Sequence, residues 1–377
     1  MIGNLDITIL QQLWWIIAAI VGSLFLFLNF VQGGQTLLWQ VAKSDIEKAL
    51  VINSLGRKWE LTFTTLVLFG GALFAAFPKF YATSFGGAYW VWILILFTFI
   101  IQAVSYEFRK KPGNLLGEKT YELFLFINGS VGILLIGAAV GTFFTGSNFT
   151  LNQFNQVSWT HPLMGLEAAF SLFNLSLGLF LVFNARVIGS MYLLNNIELS
   201  TVPDLEQRLR RACLTNLVCA LPFLLYVLAS LLLMNGYSFD ESGIVTIVSG
   251  KYLENLLAMP IVLGLLLVGL VLVVWGVIST SFLGGFKAIW FGGLGTVLVG
   301  LAVFFIAGFN NTPFYPSKVD LQSSLTIYNA SSSHYTLTAM SYVALVIPFV
   351  LAYIVYVWKL MDSKKIGHDD INDSKAY

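Results

Sequence analysis

The sequence predicts an all-α integral membrane protein with nine transmembrane helices. Three observations carry this reading. Of the 377 residues, 57% are hydrophobic and only 10% are charged, whereas soluble domains carry about 25% charged residues. Long apolar runs recur, each near the roughly 20 residues that a helix needs to cross the hydrocarbon core. Lysine and arginine collect in alternate loops. The apolar runs are continuous rather than alternating, which excludes a β-barrel.

The crossings are placed at Leu13–Val31, Leu61–Pro78, Ala88–Tyr106, Leu123–Phe144, Leu163–Ala185, Leu214–Met234, Leu256–Ile278, Ile289–Gly308 and Leu337–Trp358. The first follows an N-terminus that lacks a basic stretch and a small-residue cleavage site, so it is read as a retained anchor. The second and third form a hairpin from Trp59 to Arg109, turning at S-F-G-G-A-Y-W. Trp14, Trp15, Tyr89, Trp90, Trp159 and Trp358 fall near span ends, where amphipathic rings favour the headgroup level. Ala72 with Ala76, and Gly137 with Gly141, have the spacing of close helix packing. All of the 20 Lys and Arg except Lys79, Lys251 and Lys318 fall on one side of this nine-span arrangement. The positive-inside rule then puts the N-terminus outside and the C-terminus in the cytoplasm.

Gln32–Trp59 reads as a cytoplasmic loop. Asn184–Arg211 reads as another, its D-L-E-Q-R-L-R-R suggesting a short amphipathic surface helix. The outer loop Phe309–Thr336 is long and polar, which usually signals a role or a partner. The tail after Lys364 reads as disordered. A net charge of +1 gives no sign of a nucleic-acid partner, and Cys213 and Cys219, six residues apart, read as apolar fillers.

Ionisable groups within membrane spans are functional candidates by default. Glu167 is the one charged residue placed clearly inside a predicted span, near its outer end. It reads either as an interfacial carboxylate or as part of an ion path or quinone site. Glu60 and Glu107 close the cytoplasmic ends of the hairpin. They read either as members of an ion-pair cluster with Arg57, Lys58, Arg109 and Lys111, or as a proton entrance supported by Thr62, Thr64 and Thr65. His161, His334 and His368 all lie away from mid-membrane, and haem in a membrane bundle usually needs axial His or Met. This chain is therefore expected to ligate no haem or metal itself, and no catalytic motif is present. It reads as a transporter, or as one subunit of a complex whose redox chemistry lies elsewhere.

Several motifs resemble subunit II of cytochrome bd-type quinol oxidases. The Trp14-Trp15 pair opens the first crossing. Gly70-Gly71-Ala72-Leu73-Phe74-Ala75-Ala76-Phe77-Pro78 with Tyr81 resembles that family's G-G-x-x-F-A-A-F-P-x-x-Y. Ser105-Tyr106-Glu107-Phe108-Arg109 resembles its S-x-E-F-R. Ser324-Leu325-Thr326 and Ala330-Ser331-Ser332-Ser333-His334-Tyr335-Thr336-Leu337 resemble its S-L-T and A-S-S-S-H-x-T-L segments. The sequence also departs from the family. Asn29-Phe30-Val31-Gln32-Gly33 lacks the acid of G-F-D-x-G. Glu60 keeps the acid of W-D-G-N-E, but Leu61-Thr62-Phe63 replace the rest. Gln102 stands where the family has arginine.

The resemblance implies two four-helix bundles, residues 1–145 and 146–308, with an outer loop, ninth helix and tail in 309–377. It implies a partner, subunit I, carrying two b-type haems, one d-type haem and the quinol site. It also allows a small accessory subunit and a quinone bound to this chain. The complex would oxidise quinol and reduce dioxygen to water in a bacterial cytoplasmic membrane. This chain would support subunit I and offer a proton route starting at Glu60. A secondary transporter is the rival, weakened by spans nearly free of mid-membrane charge and by an odd number of crossings.

Overall fold

The computed structural model describes residues 2–367 and Asp370. Apart from Asp370, the tail from His368 onward lies outside the described residues. Among those described, eight helices are long and apolar enough to cross a membrane, or nine when one bent pair is taken as a single span. This is a multi-span helical membrane protein.

Helix α1 (Ile7–Leu28) starts at Asp6, whose side chain accepts from the Thr8 amide. It is interrupted at Asn29 and resumes as α2 (Phe30–Val41), so the first span is 35 residues long. After a capping box made by Ser44 and Glu47, α3 covers Asp45–Gly56. The segment expected to be a cytoplasmic loop, Gln32–Trp59, is thus mostly helix. Its apolar residues Leu37, Leu38, Val41, Leu50, Val51 and Leu55 are buried, so it packs as a helix rather than lying in water.

The hairpin forms as expected. Helix α4 (Trp59–Ala76) ends where Phe77 leaves helical geometry, and Pro78, which lacks an N–H, opens the short α5 (Pro78–Tyr81). Helix α6 (Tyr89–Phe108) returns. Helix α7 (Glu118–Ile127) continues through a π-helical turn, Asn128–Gly132, into α8 (Ile133–Thr145).

The second half begins with a small hairpin, β1 (Phe149–Leu151) against β2 (Val157–Trp159), in register Thr150 to Ser158. Helix α9 covers Leu172–Asn196, starting nine residues after the predicted Leu163 and ending well beyond Ala185. The reason lies in residues 163–171, which form turns and a 3-10 segment instead. Helix α10 (Pro203–Leu233) runs 31 residues with Pro203 in its first turn. The predicted surface helix D-L-E-Q-R-L-R-R is the beginning of this long helix. Leu205 and Leu209 on its inner stripe are fully buried, which is why it does not lie free on the surface. A second hairpin follows, β3 (Asn235–Phe239) with β4 (Val245–Ser249). Then come α11 (Lys251–Ala258), α12 (Pro260–Ser281) and α13 (Ile289–Gly308). The last span is α14 (His334–Ala344) and α15 (Ile347–Met361), bent by 41° between them. Pro348 lies in the first turn of α15.

Without a hydrophobic force between helices in lipid, close approach depends on small residues. A Cβ on Gly33 of α2 would lie 1.8 Å from the Ala185 carbonyl oxygen of α9. One on Gly137 would lie 2.5 Å from the Gly178 Cα, bringing α8 onto α9. The loop after α13 caps the hairpin end of the molecule. Phe314 is fully buried there, with its ring 4.6 Å from Trp15 and 5.1 Å from Phe80. The Ser332 amide donates to the Ala76 carbonyl at 2.8 Å. Trp14 and Trp15 are buried struts rather than headgroup anchors. The Trp14 indole donates to Ser341 Oγ at 3.0 Å, and that of Trp15 to the Phe304 carbonyl at 3.2 Å.

At the opposite, basic end the chain closes on itself. Ile366 is fully buried; its amide donates to the Asn196 carbonyl at 2.9 Å and its carbonyl accepts from the Glu198 amide at 2.8 Å. Asp362 meets the buried Lys58 ammonium at 2.9 Å and accepts from Asn196 Nδ2 at 3.0 Å.

Gly33→Ala is expected to force α2 and α9 apart. Overpacking typically costs about 1–3 kcal/mol, more when the obstacle is rigid backbone. A lowered thermal midpoint of the purified protein in detergent checks this, with Gly71→Ala, where a Cβ meets nothing within 4 Å, as the comparison.

Candidate functional site

The three sequence-predicted carboxylates are not brought together. Glu60 lies in the first turn of α4 and is exposed. Glu107 lies in the last turn of α6, is 56% exposed, and pairs with Lys111 at 2.6 Å. Their chain neighbours make the contact instead: the rings of Trp59 and Tyr106 stack at 5.8 Å. Helix geometry explains the split. Trp59 and Tyr106 face inward between α4 and α6, so Glu60 and Glu107, one residue on, turn outward. Among the described residues of the expected ion-pair cluster, only Lys111 meets one of these acids. Lys58 pairs with Asp362 and Arg57 with Asp370. Thr62 donates to the Leu28 carbonyl and Thr65 to the Leu61 carbonyl, while Thr64 is exposed.

Glu167 lies outside any span, in the 3-10 segment Leu166–Phe170. It accepts from the Gly165 amide at 2.8 Å and Asn148 Nδ2 at 3.2 Å, with His161 Nδ1 at 3.5 Å. It pins the turn that precedes α9. Nearby Lys318 has its ammonium held below the usual lysine range by burial, opposed by the Glu167 charge. Burial pushes the Tyr315 phenol up to about 12.

The buried charged centre is one that sequence reasoning missed. Glu122 in the first turns of α7 is almost wholly buried. It accepts from Arg109 Nη2 at 2.8 Å, Lys48 Nζ at 3.1 Å and Trp39 Nε1 at 3.1 Å. Arg109, 3% exposed, also meets Glu118 at 2.8 Å. This ties α2, α3, α6 and α7 together at the basic end. The signal is present in the sequence: Glu118 and Glu122 are four residues apart on one helix face, just before the predicted fourth crossing. Arg186 similarly links α9 to α2, with Nη1 donating to the Thr36 carbonyl at 3.2 Å and Nε to Asn216 Oδ1 at 2.6 Å.

A second feature is an apolar groove whose walls include Leu26, Leu181, Leu224 and Val273. Its polar floor is the pair Asn184 and Thr296, joined at 3.2 Å. Among the described residues, no group of three or more His, Cys, Asp or Glu is arranged to hold a metal. Of the described histidines, His334 at the start of α14 has a ring nitrogen 2.9 Å from the Leu5 carbonyl oxygen, and His161 is beside Glu167.

A family model described as cytochrome bd terminal oxidase subunit II matches residues 10–361. The chain belongs to this family. It is 27% identical to the Escherichia coli K12 cytochrome bd-I ubiquinol oxidase subunit 2, over 97% of this chain and 98% of that protein. It is 25% identical to the Bacillus subtilis cytochrome bd ubiquinol oxidase subunit 2, over 96% and 98%. Its fold is shared with a chain of the bd oxidase from Geobacillus thermodenitrificans, at a TM-score of 0.63 and 16% identity, covering 94% of this chain and 99% of that one. This subunit II is therefore a component of a bd-type terminal oxidase.

Glu122→Gln is expected to strip buried Arg109 of its buried partner and leave it only the exposed Glu118, a loss of up to about 3–5 kcal/mol, the usual cost of breaking a buried pair. Glu107→Gln removes only an exposed pair, worth about 0–1 kcal/mol. Thermal unfolding of the two variants in detergent checks the contrast.

Proposed function

We propose that this chain is the non-haem subunit II of a quinol:dioxygen oxidoreductase in a bacterial cytoplasmic membrane. The observation that carries the reading is the family match across residues 10–361, supported by the burial of the family-like motif residues Trp15, Ala76, Phe77 and Leu337 in the core. In this reading the partner, subunit I, holds two b-type haems and one d-type haem, which supply the electron transfer and dioxygen reduction. Subunit II gives it a rigid helical support. The spans group as two four-helix bundles, residues 1–145 and 146–308, with residues 309–377 as cap, ninth helix and tail. The basic end faces the cytoplasm and the hairpin end faces outside. A quinone or lipid chain suits the apolar groove, and a small accessory subunit is accommodated on the exposed helices.

Protons for dioxygen reduction enter from the cytoplasm. Glu60 is assigned as the entry carboxylate because it stands exposed at the mouth of α4, beside the inward-facing Trp59. Glu107 is its neighbour on the same rim. Glu167 belongs to the outer rim, where its partners fit a fastening role.

The test is purification from native membranes, followed by a reduced-minus-oxidised spectrum. A second chain of similar size with b- and d-type haem bands is expected; a lone colourless protein from gentle preparations overturns the reading. Glu60→Gln is expected to lower oxidase turnover several-fold with haem content intact. Unchanged turnover removes Glu60 from the proton route.

A further inference from the structure

Helices α2, α6 and α7 carry a stripe of buried amides that the packing does not satisfy. On α2 and the break before it, the members are Asn29, Gln32 and Gln35, spaced three apart. On α6 they are Thr98 and Gln102, four apart and leading to Arg109. From the π-turn after α7 comes Asn128. Asn29, Gln32, Gln102 and Asn128 are fully buried, and Gln35, Thr98 and Arg109 are 2–3% exposed. They form a ladder rather than scattered polar groups. Gln32 Nε2 faces Gln102 Oε1 at 3.5 Å, Gln35 Nε2 donates to Tyr106 Oη at 3.0 Å, and Asn128 Nδ2 faces Thr98 Oγ1 at 3.5 Å. Small residues bring the three helices together here: a Cβ on Gly129 would lie 2.3 Å from the Gln32 carbonyl oxygen.

Each rung leaves polar atoms over. The acceptors Asn29 Oδ1, Gln32 Oε1, Gln35 Oε1 and Asn128 Oδ1 have no protein partner. Neither do the donors Asn29 Nδ2, Gln102 Nε2, Arg109 Nε and Arg109 Nη1. Turning an amide over exchanges its oxygen and nitrogen but leaves the pattern mixed. A bound anion would satisfy only the donors, and a metal cation only the acceptors. Water satisfies both, and needs two to four polar partners to be held. Buried polar groups are rarely left unpaired, and here they line up from mid-helix to the basic end.

We propose that this stripe binds a file of ordered water molecules, entering beside the Arg109–Glu122 pair and reaching inward to Gln102 and Asn128. The file is built from neutral amides and the Thr98 hydroxyl and ends at the Arg109 guanidinium, with no carboxylate among its rungs above Glu122. It does not depend on the role given to Glu60, which opens on a different helix.

Two experiments decide it. A density map of the assembled wild-type oxidase, fine enough to show ordered water, is expected to place waters within hydrogen-bond distance of Gln32 and Gln102. Amides paired directly to one another with no water between them overturn the proposal. Independently, Gln102→Cys and Asn128→Cys in a Cys213→Ala/Cys219→Ala background are treated with N-ethylmaleimide. The reactive species is the thiolate, so a hydrated site is expected to label at least ~10-fold faster than Ala18→Cys in the dry core. Equal rates overturn the proposal. Where a cysteine variant fails to assemble, the wild-type map alone decides between the two outcomes.

Discussion

The approach of α2 to α9 at Gly33 and Ala185 is the contact on which the rest of the molecule depends. Backbone meets backbone there, and a methyl group on Gly33 would overlap a carbonyl oxygen. Everything nearby uses that proximity. Phe30 stacks on Tyr192 at 4.1 Å, Arg186 reaches across to the Thr36 carbonyl, and Ser54 Oγ donates to Asn196 Oδ1 at 2.7 Å. The first and second halves of the chain are joined by this crossing. In lipid, dispersion between tightly fitted surfaces has to do what the hydrophobic effect does in water.

Charge is handled differently at the two ends. At the basic end the buried cations Lys58 and Arg109 each meet a carboxylate, Asp362 and Glu122. Arg210 meets Glu206 and also donates to backbone carbonyls of Thr280 and Gly284, fastening the turn between α12 and α13. At the hairpin end Lys251 meets Glu254 at 3.2 Å, and aromatic rings and amides do much of the remaining work: Trp15 against Phe77 and Phe314, and Gln11 Nε2 donating to Ser331 Oγ at 2.6 Å. Between the ends, the helices carry mostly amides and hydroxyls, and Arg186 within α9 is held by Asn216 and the Thr36 carbonyl, consistent with the expense of charge in hydrocarbon.

The helical membrane class, and a count of spans close to the eight or nine found among the described residues, are legible in the sequence because hydropathy and length report directly on the bilayer. Ile289–Gly308 agrees to the residue, and the turn at Pro78 follows from proline's missing N–H. Other features are hidden from a linear reading. The helical content of 32–59 is masked by its charged flanks, since Arg57, Lys58 and Glu60 suggest a loop while Leu50, Val51 and Leu55 pack inward. Glu167 looks intramembrane because Leu163–Phe170 is apolar, yet Pro162 and the positive φ of Gly165 keep it out of the helix. Glu122 does not stand out because its partners Lys48 and Arg109 are 74 and 13 residues away, a distance that only folding closes. Trp14 and Trp15 carry a sound motif but suggest the wrong environment, because their partners come from residues more than 280 positions later.

The fastening of Asp362 and Ile366 onto Lys58, Asn196 and Glu198 has a consequence for biogenesis. The residues that secure the basic ends of α4 and α9 follow α15, and so are synthesised after the spans they fasten. Until the ribosome has released them, Lys58 has no carboxylate and the Asn196 carbonyl has no strand partner. A nascent chain whose spans are inserted therefore still lacks this seam, which closes only when the segment after α15 emerges.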